Sequence, residues 1–440
     1  MHSRLLRFAA IALLALSPPA GAAGPTPTEG ADPWVEGHLE ELLGLYRHLH
    51  THPELSFREV ETSRRIAEEL RKAGAEVTTG VGKLGVVGVL RNGPGPTVLV
   101  RTDLDALPVT EATGLPYASR ATATDDDGNP VGVMHACGHD VHMTSLVGTA
   151  RWLADHKGRW GGTVVLIGQP AEEKIGGAKA MLADGLYTRF PRPDFALALH
   201  VAHDLETGKV GYRSGPAMAG SDSVDIVVRG RGGHGAMPHA TVDPIVLAAT
   251  LVLDLQTIVS REVSPIDPAV LTVGSIHGGT KHNIIPAEVR LQLTLRAFRP
   301  EIRDQLIDGL KRRAVGLARA HRAPDPTVTV GDGTPPTVNT PSLVQMVVPA
   351  LVKALGEPNV EEVEPTMGAE DFGLFGQGGV PTFMFRLGTI PPDRLEAAES
   401  QGESLPSLHS PQYQPDPAPS LRTGIRAMTA AVVALLPPKS

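Results

Sequence analysis

The sequence is poorest in cysteine, because Cys137 is the only one among 440 residues. A single cysteine excludes a disulfide within the chain. Cys137 is then a buried inert residue, an intermolecular bridge, a nucleophile or a metal ligand, and its sequence neighbours bear on the choice.

Other features are also absent. Long runs of one charge sign do not occur, and 48 acidic residues stand against 40 basic ones, which argues against nucleic acid as the main partner. No HExxH pattern is present, and this excludes the metalloprotease class built on that helix. A GxSxG motif and internal repeats are missing as well.

The N-terminus carries the pattern of an export signal. Two arginines precede an apolar run over residues 8–16, and small residues follow up to Ala23. The pattern predicts a signal peptide over residues 1–23, and the run is too short to span roughly 30 Å of hydrocarbon as an anchor. We therefore expect a soluble, exported protein, periplasmic or secreted. A free thiol in such a compartment is easiest to explain as a metal ligand.

The length of the chain predicts two domains, or one large domain that carries an insertion. After two helices, the second with Ser56 and Glu59 as a predicted capping box, continuous apolar strands alternate with helices. This order predicts an α/β fold, a mixed sheet covered by helices on both faces, over residues 34–218 and 333–440.

Between these two parts the pattern changes. Strands that alternate polar and apolar residues occur in a β-α-β-β-α-β order over residues 219–332. Half-exposed strands in this order predict an inserted α+β domain of ferredoxin-like topology.

Polar residues follow several of the predicted strands. Asp103 and Asp105, the pair Glu172 and Glu173, and His200 all lie at strand ends. Each has an ordinary explanation when taken singly: a helix cap, a solvated helix start, a core histidine. These residues are all expected at one edge of a sheet, beside a loop with Cys137 that precedes a helix at about His142. Together with Cys137, their side chains match the ligand set of a transition metal. One glutamate can then bind metal while its neighbour takes a proton from water.

Ordered motifs along the whole mature chain resemble a known family, the hippurate hydrolase and auxin-conjugate amidohydrolase group of the aminoacylase and carboxypeptidase metallohydrolase superfamily. The motifs are RTDLDALP, MHACGHDVHM, GQPAEEKIGGAKAML, SDSVDIVVRGRGGHGAMPH, DPIVLAATLVLDLQTIVSRE, GGTKHNIIPAEV and TMGAEDFGLF. The resemblance implies a catalytic domain of zinc-peptidase type with an inserted lid that mediates dimerisation.

The resemblance also assigns residues. It implies two divalent metal ions per subunit, zinc, manganese, cobalt or nickel, with Glu172 as general base. The implied metal ligands are Cys137, His139, Glu173, His200 and His409. Asp103 or Asp105 orients a ligand, and Glu370 of GAEDF, with Asp371, supports the metal histidines. His135 and His142 match no ligand position.

On the lid, the resemblance places His234 where a histidine, often supplied across the dimer, stabilises an oxyanion. Without the other motifs this glycine-rich stretch would be a turn with no role. Asn283 and Arg296 resemble positions that hold the polar end of the substrate, where an arginine pairs with a carboxylate. Arg296 fits a surface position on a strand equally well.

Together these features predict an exported, metal-dependent amidohydrolase that acts on a small molecule, an N-acyl amino acid. A carboxypeptidase or dipeptidase with the same site is the alternative among enzymes. A periplasmic solute-binding protein is the alternative outside them, although a passive binder needs no general base beside a metal-ligand set.

Overall fold

The computed structural model describes residues 31–438; the predicted signal peptide, residues 1–23, lies outside them. The α-helices are α1 (Ala31–Thr51), α2 (Val60–Lys72), α3 (His139–Asp155), α4 (Gly177–Ala183), α5 (Leu186–Arg189), α6 (Pro244–Thr257), α7 (Pro300–Ala320), α8 (Pro341–Leu355), α9 (Pro392–Gln401) and α10 (Pro417–Leu435). The strands are β1 (Glu76–Val81), β2 (Gly85–Asn92), β3 (Thr97–Asp103), β4 (Thr122–Thr124), β5 (Pro130–Gly132), β6 (Gly162–Gln169), β7 (Phe195–Glu206), β8 (Val210–Tyr212), β9 (Gly215–Met218), β10 (Gly220–Arg229), β11 (Gly233–His234), β12 (Ala269–Gly278), β13 (Ile284–Ile285), β14 (Glu288–Ala297), β15 (Thr327–Val330), β16 (Thr337–Asn339), β17 (Val360–Glu362) and β18 (Thr382–Ile390).

An eight-stranded mixed sheet organises the larger part of the chain, in the order β1-β2-β6-β3-β7-β18-β8-β17. Successive residues of its strands point to opposite faces, and both faces are buried: Val98 and Val100 join the core on one side and Leu99 the core on the other. Helices α1, α3, α8 and α10 cover the first face, while α4 and α5 cover the second. The predicted α/β fold is confirmed.

The inserted part forms a second sheet, in the order β12-β14-β10-β15, with antiparallel neighbours throughout. Its elements follow one another as β10-α6-β12-β14-α7-β15, which is the predicted ferredoxin-like order. Leu251 of α6 and Leu306 of α7 pack with the strands in a separate hydrophobic core. We call this part the lid.

One helical stretch, Pro244–Glu262, is long and apolar enough to cross a membrane by length and composition alone, and a third of it is buried. It consists of α6 and a π-helical continuation. Leu247, Leu251 and Leu255 are buried against the lid sheet, so one face of this helix belongs to the lid core.

The predicted capping box at the start of α2 is wrong. Glu59 occupies the N-cap without a side-chain cap hydrogen bond. Glu54 caps the helix instead, because its carboxylate accepts hydrogen bonds from the backbone N–H groups of Glu61 (3.2 Å) and Thr62 (2.8 Å). Ser56 and Glu59 both find partners distant in sequence, and these contacts replace the local ones that the pattern predicts.

Candidate active site

Three neighbouring parallel strands, β6, β3 and β7, bring their polar ends to one edge of the large sheet. Asp103 ends β3 and pairs with Gln169 at the end of β6. His200 lies in the middle of β7, which continues to Glu206, so the expectation that it lies at the end of its strand is wrong. The start of α3 faces this edge with Cys137 and His139. Functional groups in open α/β sheets gather at such an edge.

The expectation that Cys137 and His139 share a loop before a helix at about His142 is wrong for His139, which is the first residue of α3. The preceding Gly138 has a left-handed backbone (φ 72°). A Cβ there would lie 2.7 Å from the side chain of Val201. A glycine N-cap lacks the side-chain oxygen of a typical cap, so the sequence did not reveal this helix start.

Two sets of donor atoms converge on the thiol of Cys137. The ligand atoms of Cys137, His139 and His200 lie within 4.8 Å of one another, and so do those of Cys137, Glu173 and His409. Across the two sets, His139 Nε2 lies 3.8 Å from Glu173 Oε1; within the second set, His409 Nε2 lies 3.6 Å from Glu173 Oε2. The structure thus brings together all five residues of the implied ligand set.

The chemistry of these atoms fits a bound metal. Within residues 31–438, the buried atoms His139 Nε2 and Glu173 Oε1 have no hydrogen-bond partner. Burial and nearby carboxylates raise the pKa of the Cys137 thiol, and burial raises the pKa of Glu173 to about 7. A divalent cation held by thiolate, imidazole and carboxylate would offset this crowding of negative charge.

Backbone carbonyls orient two of the histidines. His139 Nδ1 lies 2.8 Å from the carbonyl oxygen of Asp105, and His200 Nδ1 lies 2.8 Å from that of Val201. A proton on each Nδ1 can be donated to the carbonyl, which leaves each Nε2 free as a ligand atom.

Asp103 and Asp105 both support this cluster, in different ways. Asp103 Oδ1 accepts from His142 Nδ1 at 2.7 Å, and Asp105 Oδ2 accepts from the backbone N–H of Glu173 at 3.0 Å. His142 Nε2 accepts from the N–H of Val201 at 2.9 Å, so both of its ring nitrogens are engaged. His135 is buried next to the cluster, and its ring nitrogens lack partners among the described residues.

Glu172 lies beside the ligand cluster without belonging to either set around Cys137. Its Oε2 is 3.9 Å from His139 Nε2, and the residue is buried. Burial, together with the carboxylates of Glu173 and Glu370, raises the pKa of Glu172 well above its ordinary value. A raised pKa brings a carboxylate closer to neutral pH, where a group that accepts and returns a proton is most effective.

A buried arginine, which the motifs alone do not mark as functional, supports these acidic residues. Arg101 Nη1 lies 2.8 Å from Asp103 Oδ2 and 3.0 Å from Glu370 Oε2. Its Nη2 lies 3.1 Å from Asp371 Oδ1, and its Nε donates to Gln169 Oε1 at 2.9 Å. An arginine inside an otherwise apolar strand, as in VLVRTD, is the sequence signal that could have identified it.

Replacing Arg101 with methionine is expected to destabilise the protein by about 3–5 kcal/mol, because three buried carboxylates lose their shared cation. The melting temperature should fall by roughly 4–6 °C in calorimetry. Arg91→Met is the matched control, since Arg91 forms an exposed pair with Glu76 and should cost less than about 1 kcal/mol. Equal losses in both variants would contradict a special role for the buried cluster.

The structure does not join the lid residues to this cluster. His234 and Asn283 are exposed and lie together on the lid, where β11 pairs with β13 and the N–H of Gly235 donates to the carbonyl of Asn283. Arg296 does reach the larger domain: its Nη1 donates to the carbonyl oxygen of Met367 at 2.8 Å, three positions before Glu370.

Comparison with known proteins places this site in a family. The model of Peptidase family M20/M25/M40 matches residues 99–431, a span that contains every residue of the cluster described above. The chain belongs to the M20 peptidase family. It is therefore a metal-dependent hydrolase acting on amide bonds, and the solute-binding alternative is not supported.

Relatives of this M20 enzyme carry different activity names. Thermostable carboxypeptidase 1 of Saccharolobus solfataricus is 38% identical over 352 residues, with 79% of this chain and 86% of the relative covered. Hippurate hydrolase of Campylobacter jejuni is 38% identical over 346 residues, with 78% and 85% covered. Identity to these two relatives does not separate amidohydrolase from carboxypeptidase.

A solved structure supports the fold and the metal chemistry. The Bacillus subtilis YXEP protein, described as a dinuclear metal binding peptidase from the M20 family, matches with a TM-score of 0.74 and 29% identity. The match covers 91% of this chain and 99% of that chain. The shared fold includes the catalytic domain and the lid, as the resemblance predicted.

Proposed function

We propose that this M20 enzyme hydrolyses the amide bond of N-acyl amino acids, with Glu172 as general base. The observation that carries the proposal is the buried Glu172 carboxylate, 3.9 Å from His139, beside two donor sets that both include Cys137 and could each hold a metal ion. Cys137, His139 and His200 would hold one ion, and Cys137, Glu173 and His409 the other. Zinc, manganese, cobalt and nickel all suit these ligands.

Two divalent ions, when bound, lower the pKa of water and polarise a carbonyl group. Glu172 then accepts a proton from water and returns it to the leaving nitrogen, which a single carboxylate can do in turn because burial raises its pKa and makes it a stronger base. The carboxylate of Asp105 accepts a hydrogen bond from the backbone N–H of Glu173. This hydrogen bond fixes the position of Glu172 and Glu173 relative to the cluster.

Arg296 is the proposed anchor for the substrate carboxylate. It is half-buried where the lid meets the larger domain, and no acidic side chain lies within ion-pair distance of it in the described part of the chain. A guanidinium with free N–H groups can bind a carboxylate through two hydrogen bonds. This supports a substrate with a free carboxylate, and Asn283 is proposed to bind its polar end from the lid.

The experiment is hydrolysis of a matched panel with defined metals: N-acetyl, N-benzoyl and indoleacetyl amino acids, their carboxamides, and dipeptides. We expect N-acyl amino acids to be cleaved fastest, with kcat/KM at least about tenfold lower for the carboxamides because they cannot pair with Arg296. Faster cleavage of dipeptides would favour the peptidase alternative. A flat profile with no response to metal would contradict the proposal.

We also propose that the enzyme is a homodimer joined through its lid. Exposed apolar side chains concentrate there, with Leu253 of α6 73% exposed and Ile276 of the edge strand β12 50% exposed. Exposed apolar side chains and an unpaired strand edge favour association. In such a dimer, the exposed His234 of one subunit is proposed to stabilise the oxyanion in the active site of the partner subunit.

Mixing two inactive variants tests this arrangement. Glu172→Gln and His234→Ala should each be impaired alone, His234→Ala by about 10²-fold in kcat because one oxyanion donor is lost. After subunit exchange at equal concentrations, about a quarter of the sites should regain both groups if His234 acts across the dimer. A mixture no more active than its components, at a concentration where light scattering shows dimers, would contradict the arrangement.

Export to the periplasm or medium is proposed from the signal pattern of residues 1–23. Mass spectrometry of the mature protein from its native host should find a new N-terminus near Ala22 or Ala23. An intact Met1 in the mature enzyme would contradict export through this signal.

A further inference from the structure

The backbone around the two catalytic-site glutamates adopts an unfavourable conformation. Ala171 and Ile175, which flank Glu172 and Glu173, have positive φ angles of 47° and 54°. Left-handed geometry is uncommon for residues other than glycine, and for the β-branched Ile175 it is an outlier that its surroundings must enforce. Hydrogen bonds close the turn from one end, because the N–H groups of Gly176 and Gly177 donate to the carbonyl of Ala171.

A carboxylate from the start of α2 holds the other end of this turn. Glu59 is fully buried, and its Oε1 accepts from the backbone N–H of Ala171 at 2.7 Å. The same oxygen accepts from the N–H of Phe57 at 2.9 Å. The second oxygen, Oε2, is buried without a hydrogen-bond partner in the described part of the chain. Burying a carboxylate with an unsatisfied oxygen costs free energy, so capping α2 does not explain its position.

Ser56, from the same segment, fixes the turn at a second point. Its hydroxyl donates to Asp105 Oδ2 at 2.6 Å, and that oxygen also accepts from the N–H of Glu173 at 3.0 Å. Carboxylates therefore accept from the backbone N–H groups on both sides of Glu172. Glu59 accepts from the N–H of Ala171. Asp105 accepts from the N–H of Glu173 and is itself held by the hydroxyl of Ser56.

We propose that Glu59 is a positioning residue for Glu172: through the N–H of Ala171 it holds the strained turn that aims the general base. The proposal rests on the function proposed above. Its physical basis is that a reacting group displaced by about 1 Å can lose 10²-fold in rate, even when the disturbance lies outside the reacting atoms. In the described part of the chain, Glu59 makes no hydrogen bond or ion pair with an implied metal ligand; its side chain accepts from Phe57 and Ala171 instead.

The test compares kcat, KM, metal content and melting temperature across four variants. Glu59→Ala should lower kcat about 10- to 100-fold, with KM changed by less than about threefold and metal content per chain equal to wild type. Glu59→Gln keeps an oxygen at the Oε1 position and should recover most of kcat. Glu59→Asp, which is shorter by one methylene, should recover less.

Glu54→Ala is the matched control, because Glu54 lies on the same segment and accepts two backbone N–H groups of α2 without contacting the turn. It should lower the melting temperature with kcat unchanged. Wild-type kcat in Glu59→Ala, or a kcat loss in Glu54→Ala as large as in Glu59→Ala, would overturn the proposal. If Glu59→Ala is insoluble, the other two variants decide: a kcat of Glu59→Asp equal to that of Glu59→Gln would overturn the proposal.

Glu172→Gln is measured alongside. If it loses turnover while Glu59→Ala does not, the positioning role fails and the general base stands. If it keeps wild-type kcat, the proposed function itself fails, whatever the Glu59 variants do.

Discussion

Glu172→Gln is expected to lower kcat by about 10³-fold, within the 10²–10⁴ range of general acid–base catalysis. Glutamine has nearly the same shape as glutamate and can keep the contacts of the turn, but it cannot accept a proton from water. Substrate binding should survive, because binding is assigned to Arg296 and the lid. Steady-state kinetics at saturating metal and calorimetric titration with substrate measure the two effects separately.

Glu173→Gln is the informative comparison, since it changes the adjacent residue in the same way. Glu173 has donor atoms in the set with Cys137 and His409, so its replacement should weaken metal binding, and activity should return as metal is added in excess. Glu172→Gln should keep its metal and remain inactive at any metal concentration. A Glu172→Gln kcat within threefold of wild type would remove Glu172 from the role of base.

The fold could be predicted from the sequence because its strands carry two different patterns. Continuous apolar strands such as VVGVL are buried on both faces, and alternating strands such as DSVDIVVR have one polar face. Each pattern reports how many faces of a sheet are covered, and this is a local property of the strand. The topology then follows from element order.

The support around the site could not be predicted in the same way, because it depends on contacts between distant segments. Arg101 meets Asp371, 270 positions further along the chain, and Glu59 meets Ala171, 112 positions further along. The pattern S-x-x-E at Ser56 and Glu59 fits a capping box as well as it fits two long-range contacts. Only the tertiary structure decides between them.

The choice among neighbouring histidines shows the same limit. Composition makes His135, His139 and His142 equal candidates for a metal. Hydrogen bonds separate two of them: His142 uses both ring nitrogens, whereas His139 uses Nδ1 and leaves Nε2 free. His135 differs by position instead, because among the described residues it belongs to none of the groups of donor atoms close enough to hold a metal. The family resemblance had selected His139 by motif, and the hydrogen bonds now give a physical reason for that choice.

Removing the metal is expected to abolish activity, to less than about 10⁻³ of the loaded enzyme, since both water activation and carbonyl polarisation are lost. Chelation should also change how stability depends on pH. Burial raises the pKa of Glu173 and of Glu370 to about 7, above the ordinary value of 4.5. A raised pKa in the folded state means that stability is present at low pH and lost as pH rises through about 7.

The window from pH 6.5 to 8.5 covers the upper part of this titration. Buried histidines with lowered pKa values, such as His135 at about 4, oppose it: in the unfolded chain they are about half protonated at pH 6.5, so each adds roughly 0.4 kcal/mol of stability as pH rises to 8.5. His135 should do so equally with and without metal, so comparing the two forms removes its effect. Each of the two carboxylates should then cost roughly 1 kcal/mol of metal-free stability across the window. Burial opposes the protonation of His50, but its hydrogen bonds to Asp140 and Glu111 outweigh burial and raise its pKa to about 10. The stabilising contribution of His50 therefore falls as pH rises through this window, whether metal is present or not.

The metal-loaded enzyme should show a shallower fall, or a rise, over the same window. Metal binds the deprotonated ligands, so its stabilising effect grows with pH as the protons of Glu173 and the Cys137 thiol are displaced. Calorimetric melting temperatures of the chelated and reloaded protein, measured in parallel at several pH values, report the difference between the two slopes. Parallel slopes would mean that the buried carboxylates do not titrate with the metal, and that the cluster around Cys137 is not where the metal binds.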